Sequence, residues 1–210
     1  LTPSNGRIGR IFLVGAGPGA ADLLTIRAVR LIQSATVIAH DHLVSPEILD
    51  LAPASARRVY VGKQGGGFCS PQREIESLLI TEALAGNDVV RLKGGDPGIF
   101  GRLDEEIEAL EANGLPYDIL PGLTSATVAA ASIGQSLTKR GRNAALRIVT
   151  GHDMAGFAEQ DWRGLARAGE VAAIYMGKKS ARFIQGRLMM HGAAGDTPVT
   201  LVENVSRADQ

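Results

Sequence analysis

Two ionisable residues stand where short apolar runs give way to loops: Asp41 after Thr36-Val-Ile-Ala-His40, and Lys63 after Arg57-Arg-Val-Tyr-Val-Gly62. A carboxylate and an ammonium at strand ends can take and return a proton at one reacting atom. A turn-forming aspartate and a solvated lysine fit the same spacing. The loop Arg91-Leu-Lys-Gly-Gly-Asp-Pro-Gly-Ile-Phe-Gly-Arg102 holds a third acid, Asp96, between Gly94-Gly95 and Pro97. Adjacent glycines allow positive φ and close ligand approach, and proline stiffens the turn behind the acid. A plain tight turn with a capping aspartate would have the same composition. Arg91 and Arg102 flank this loop and could grip carboxylates bidentately. They could equally pair with Glu105 and Glu106, which is the expectation for at least one of them. Lys139, Arg140 and Arg142 could hold an anionic substrate, although a basic run is most often a solvated loop.

A glycine motif precedes all of these. Gly15-Ala-Gly-Pro-Gly-Ala20 matches the dinucleotide fingerprint G-x-G-x-x-G/A, and Asp41 falls near where a ribose-binding acid belongs. A nicotinamide or flavin enzyme is therefore one reading. Against it, Pro18 removes an N–H from the turn that would cradle pyrophosphate.

The elements that must position these residues alternate along the chain. Apolar runs at Arg10–Val14, Thr36–Asp41, Arg57–Val61, Val89–Leu92 and Tyr117–Leu120 read as strands. Helical periodicity separates them, with Thr25, Ser45-Pro46 and Ser70-Pro71 as N-terminal signals. Five strands alternating with helices predict a parallel α/β sheet whose strand ends line one edge. After Pro121-Gly122 a small-residue helix from Thr124, the basic loop, strands at Leu146–Thr150, Val171–Met176 and Val199–Val202, and helices from Trp162 and Ser180 predict a second, smaller mixed sheet. The expected domains are residues 1–121 and 122–210. Tyr175-Met176-Gly177 ends a strand, where packing is the default and ligand contact the alternative.

Composition narrows the function. The chain has 210 residues, with 22 Lys+Arg against 22 Asp+Glu, so bulk attraction to nucleic acid or acidic membranes is not expected. No apolar run approaches the roughly 18 residues of a membrane span. Arg7 and Arg10 before Ile11–Val14 only faintly imitate a signal peptide. A single cysteine, Cys69, rules out an internal disulfide and fits a cytoplasmic location. No zinc pattern is present among the cysteine and histidines.

Taken in order, Val14-Gly-Ala-Gly-Pro-Gly19, Leu23-Leu-Thr25, Asp41 with Leu43-Val-Ser45, Gly62-Lys63 and Pro71-Gln72 resemble the tetrapyrrole methylase family. So do Val90-Arg-Leu-Lys-Gly-Gly-Asp-Pro97, Phe100-Gly-Arg102, Pro121-Gly122, Thr124-Ser125, Thr150-Gly-His152, Tyr175-Met-Gly177 and Leu201-Val-Glu-Asn204. The resemblance, strongest toward the uroporphyrinogen-III C-methyltransferase type, implies two α/β domains with S-adenosylmethionine in a cleft between them, and a homodimer. By position it implies that Pro18, Gly94, Gly95, Asp96, Ile99, Thr124, Ser125, Met176 and Val205 contact the cofactor, Val205 through its backbone. It implies Asp41 as proton acceptor and Lys63 as donor, with Arg91, Arg140 and Arg142 meeting the carboxylates of a tetrapyrrole. The implied reaction methylates uroporphyrinogen III to precorrin-2 by way of precorrin-1.

Some positions depart from the family pattern: His42 and Gln64 replace arginines, Phe68 a histidine and Gly98 an aromatic. Leu103-Asp104 replaces two glycines, and Lys139-Arg-Gly141 replaces His-Arg-Asp. These changes leave room for two further readings, a methylase of a later precorrin and a cofactor-binding paralogue with little catalysis. The chain stops at Gln210, before the family's closing strands, so the second domain is expected to be incomplete.

Overall fold

The computed structural model describes residues 6–62, 72–153 and 156–210. Lys63, Gln64, Phe68, Cys69 and the Ser70-Pro71 cap lie outside the described residues. The chain forms two compact units, Leu1–Val128 with Asn204–Gln210, and Ala129–Glu203. The expected boundary at Pro121-Gly122 lies inside the first unit.

In the first unit β1 (Ile11–Gly15), β2 (Val37–His40), β3 (Arg57–Tyr60), β4 (Val89–Lys93) and β5 (Tyr117–Leu120) form the five-stranded sheet read from the sequence. Every pairing is parallel, in the order β3-β2-β4-β1-β5. Strands covered on both faces read as continuous apolar runs, and β1 and β2 come close to that, whereas β4 is buried throughout although it carries Arg91 and Lys93. Alternate residues feed two separate cores. Val14, Ile38, Val90 and Leu92 pack with Ala28 and Ile32 of α1 (Ile26–Ser34) and Ile48 of α2 (Pro46–Leu49). Ile11, Leu13, Val37, Ala39 and Val89 pack with Ile75 and Leu79 of α3 (Gln72–Leu84) and Leu110 of α4 (Leu103–Ala112).

Thr25 caps α1 as expected, its hydroxyl accepting from Ala28 N–H at 3.2 Å. Ser45 does not cap α2; its hydroxyl instead donates to the Gly19 carbonyl at 2.6 Å, tying the loop after β2 to the loop after β1. Because β4 is inserted between β2 and β1, the loops leaving β1, β2 and β4 emerge side by side at the carboxyl edge, where such sheets bind ligands. The last residues return to this unit. Ala20 N–H donates to Ser206 Oγ at 3.0 Å, and Arg207 donates to the Leu43 carbonyl at 2.6 Å.

The second unit pairs β6 (Arg147–Thr150) in parallel with β9 (Ala172–Tyr175), and β7 (His152–Asp153) antiparallel with β8 (Gly156–Phe157). Trp162 of α6 (Trp162–Leu165) and Ile184 of α7 (Ala181–Met190) are buried, and Phe183 lies edge-on to Trp162 and stacked on Phe157. The strand expected at Val199–Val202 does not form. Nothing among the described residues pairs with it, and Val199 and Leu201 stay exposed. Helix α5 (Ser125–Ser132) carries the chain from one unit into the other.

Candidate functional site

Three strand-end loops of the first unit are bound into one piece by backbone. Gly17 and Gly95 form a two-bond antiparallel bridge, 2.7 Å from Gly95 N–H and 3.1 Å from Gly17 N–H, and Ala16 N–H donates to the Lys93 carbonyl at 2.8 Å. Asp96 completes the join. Its Oδ1 accepts from Gly98 N–H at 2.8 Å, turning its own loop, while Oδ2 accepts from Gly122 N–H at 3.0 Å, after β5. The glycines are needed for closeness: a Cβ on Gly122 would lie 2.9 Å from Gly15 Cα, and one on Gly94 would lie 2.6 Å from Leu43 Cβ.

This arrangement overturns the dinucleotide reading of Gly15–Ala20. The Gly17 N–H that would face pyrophosphate is spent on Gly95, and Arg207 and the Val205 carbonyl close over Gly19. The strand order agrees, since β1 neighbours β4 and β5 here, whereas the dinucleotide-binding order 3-2-1-4-5-6 sets it beside β2.

The expected cofactor contacts of the first unit gather on this knot. Pro18 follows the bridge glycine, Gly94, Gly95 and Asp96 form its other arm, and Ile99 closes the Asp96 turn by donating to its carbonyl at 3.2 Å. Thr124 and Ser125 begin α5 just past Gly122. Val205 is buried at 8 % exposure, so its carbonyl is the group it presents toward Gly19. Gly95 has φ +74° and, among the described residues, nothing within 4 Å of its missing side chain, which leaves an open backbone cradle beside a carboxylate. That cradle suits a ligand with hydroxyl or cationic groups. Met176, in the second unit, is exposed and left-handed at φ 55°.

Backbone strain marks the same segments. The non-glycine residues with positive φ among those described are Phe100, Arg102, Met176, Asn204 and Ser206. They follow Ile99, coincide with Met176, or bracket Val205. Left-handed backbone costs an ordinary side chain about 1–2 kcal/mol and concentrates at ligand-binding segments.

Asp41 lies one register step beyond the β2–β4 pair His40–Leu92 and accepts an ion pair from Arg91 at 3.6 Å. Arg91, expected as a possible substrate grip, is buried at 4 % exposure. Its Nε donates to Glu106 at 3.3 Å and its Nη1 to the Leu92 carbonyl at 2.7 Å. It therefore fixes Asp41 from within, and a substrate carboxylate reaching it would have to displace Glu106 or Asp41. Sequence reading missed Lys93 and the depth of Glu106. Lys93 Nζ sits 2.7 Å from Glu106 Oε1, both residues being buried. Burial, followed by the neighbouring Arg91, holds the Lys93 ammonium below its ordinary 10.5, against the pull of Glu106. The signal was the alternation Val89, Arg91, Lys93, which places both cations on the face covered by α4.

Arg102 pairs instead with Glu105 at 2.6 Å at the surface, as expected for one of the two flanking arginines. In the second unit Arg140 and Arg142 are exposed in a loop pinned by Asn143, whose Oδ1 accepts from Lys139 N–H and Arg142 Nε at 3.0 Å. The loop borders a shallow depression of about 490 Å³ lined by Arg140–Ala144.

Fold and site together define an α/β protein that offers a glycine-built ligand cradle and a buttressed carboxylate at the carboxyl edge of a parallel sheet. Residues 10–210 match the family model for tetrapyrrole (corrin/porphyrin) methylases, and the chain belongs to that family. It is 46% identical to siroheme synthase 3 of Aeromonas hydrophila over 96% of this chain and 43% of that protein. It is 48% identical to siroheme synthase of Edwardsiella ictaluri over 93% of this chain and 42% of that one. The chain thus spans less than half the length of these curated relatives. Among solved structures, uroporphyrin-III C-methyl transferase from Thermus thermophilus, complexed with S-adenyl homocysteine, aligns with a TM-score of 0.74 at 39% identity. That alignment covers 89% of this chain and 74% of the other. A cobalt precorrin-4 methyltransferase shares the fold, with a TM-score of 0.83 at 24% identity over 95% of this chain and 82% of its own.

Proposed function

We propose that this protein is an S-adenosylmethionine-dependent C-methyltransferase that converts uroporphyrinogen III to precorrin-2 by way of precorrin-1. The observation that carries the reading is the open backbone at Gly95 beside the Asp96 carboxylate, set at one sheet edge with a second carboxylate, Asp41, clamped by Arg91. Likeness to siroheme synthases and to the Thermus thermophilus enzyme supports the substrate class.

Bound there, the cofactor supplies an electrophilic methyl group. Pro18, Gly94, Gly95, Asp96, Ile99, Thr124, Ser125, Met176 and the Val205 carbonyl hold it, with Asp96 accepting from its polar groups. Methyl transfer from the sulfonium leaves the substrate cationic. Asp41 takes the proton that must then leave a position next to the methylated carbon, which itself carries a side chain and no hydrogen; Lys63 donates where a proton is moved back to the ring system. Arg140 and Arg142 meet the substrate's carboxylates. The protein's contribution is mostly orientation, since an attack of this kind depends on placing the reacting atoms in line at near contact. The same reading makes the protein a cytoplasmic homodimer in siroheme or cobalamin synthesis.

Incubation with uroporphyrinogen III and methyl-labelled S-adenosylmethionine tests it, and label should appear in a dimethylated porphyrinoid. Label transferred only to later precorrins would replace the substrate, and tight cofactor binding with no transfer to any tetrapyrrole would replace the activity.

A further inference from the structure

A set of buried charges behind Asp41 is left unused by that chemistry. On the face of the sheet covered by α4, Arg91 and Lys93 of β4 enclose the carboxylate of Glu106, which is 1 % exposed. Glu106 Oε1 takes both cations, and Oε2 has no hydrogen-bond partner among the described residues. Burying such charges costs several kcal/mol per ion unless they are well paired, so a merely structural site would favour apolar residues. From the loop after β2, Asp41 Oδ2 lies 3.6 Å from Arg91 Nη1, with the Asp41 side chain 21 % exposed. Glu105 of α4, paired with Arg102 at the surface, feels Lys93 only as the weakest of the influences on its carboxyl. Arg91 and Lys93 thus balance Glu106 and Asp41, and only Asp41 is appreciably open to solvent.

We propose that Glu106 and Lys93 are positioning residues for Asp41, acting through Arg91. Glu106 anchors the Arg91 guanidinium so that it faces Asp41, and Lys93 neutralises the anchor, so the orientation and charge of the exposed carboxylate are set from inside the core. This inference rests on Asp41 being the proton acceptor of the proposed reaction.

The test uses isotope-labelled lysine, following Lys93 by NMR in the full chain, together with steady-state methyl transfer. Glu106→Gln should lower the Lys93 titration midpoint further, by about 1 unit or more for loss of a contacting anion. Asp41→Asn should move it the same way by less, because coupling between sites is reciprocal. An unmoved Lys93 in Asp41→Asn would overturn the proposal whatever the reaction turns out to be. In turnover, Glu106→Gln should reduce kcat on the order of 10- to 100-fold through misplacement of the base, with KM little changed. Its acid limb in kcat/KM should move to lower pH, since the cations then act on Asp41 unopposed, and Glu106→Asp should recover part of kcat. Wild-type kcat and an unshifted acid limb in Glu106→Gln would overturn it. Should that variant fail to fold, Lys93→Met/Glu106→Gln removes one charge of each sign, and wild-type kcat and pH profile there would be equally fatal. If the wild type methylates no tetrapyrrole, the functional reading falls, while the Lys93 titration still decides whether Asp41 is coupled to the buried pair.

Discussion

Gly17 and Gly95 exchange both of their backbone hydrogen bonds, at 2.7 and 3.1 Å, so the loops leaving β1 and β4 behave as one element. Gly122 is wedged beneath this bridge, and its added Cβ would fall 2.9 Å from Gly15 Cα and against the Gly95 carbonyl. These neighbours are backbone and cannot swing aside. Gly122→Ala should therefore lower the unfolding free energy by about 1–3 kcal/mol, the usual cost of overpacking, and should weaken S-adenosylmethionine binding. Urea unfolding and calorimetry would measure the two effects. Gly98→Ala is the control, because among the described residues its Cβ meets only Asp96 Oδ1, at 3.2 Å, and it should change both far less.

In the second unit, Trp162 is 4 % exposed and its indole N–H donates to Glu159 Oε2 at 2.7 Å, while Arg187 lies 5.8 Å above its ring. Trp162→Ala should destabilise the protein by about 3–5 kcal/mol, as for other buried tryptophans. The indole N–H, and after it Arg187, hold the Glu159 carboxyl below its ordinary 4.5. The linked stability is present above that value and is lost as pH falls through the lower folded midpoint. Trp162→Phe should shrink this acid loss, and thermal unfolding at stepped acid pH would show a flatter profile.

The five strands of the first sheet were legible because β1 and β2 carry near-continuous apolar runs, as a doubly covered parallel strand requires, and β4 opens on Val89-Val90 before its glycine loop. Their order was not, because adjacency depends on which crossover packs over which face, and β4 enters between β2 and β1. The glycine motif was misleading alone for that reason: its residues allow close approach, but whether the neighbour is a ligand or Gly95 depends on strand order. Val199–Val202 has strand composition, but no described strand pairs with it. Arg91 was legible as a charged residue beside the loop; its burial follows from sharing a face with Val89. Glu106 looked like one acid among several at the start of a helix, and only α4 lying against β4 shows which carboxylate turns inward.

Lys93 links stability to alkaline pH. Burial, then Arg91, lowers its folded midpoint from 10.5, so the folded protein releases this proton at lower pH than the unfolded chain. Between the two midpoints unfolding takes up a proton, and the Lys93 contribution to stability rises with pH. Below the folded midpoint the full cost of the buried ammonium remains. The difference in unfolding free energy between wild type and Lys93→Met should therefore shift in favour of wild type as pH climbs toward 10.5. Urea unfolding at stepped pH measures it, and parallel pH profiles would mean that Lys93 is not desolvated.

Asp96 has a structural and a binding role, and two substitutions separate them. Its two oxygens already accept from Gly98 N–H and Gly122 N–H, at 2.8 and 3.0 Å. Each oxygen keeps a further lone pair for a ligand at the Gly95 cradle. Asp96→Asn preserves shape but turns one acceptor into a donor facing an N–H, a mismatch worth about 1–3 kcal/mol. Asp96→Ala loses both joins and the charge. Stability should fall in both variants. S-adenosylmethionine affinity should fall at least about tenfold in each, since a hydrogen bond to a charged group is worth about 1.5–3 kcal/mol. Calorimetry on folded protein gives the dissociation constants, with Glu105→Ala, an exposed acid of the same region, as the unaffected control. An unchanged constant in Asp96→Ala would take Asp96 out of the cofactor site and leave it only as the clasp between the β4 and β5 loops.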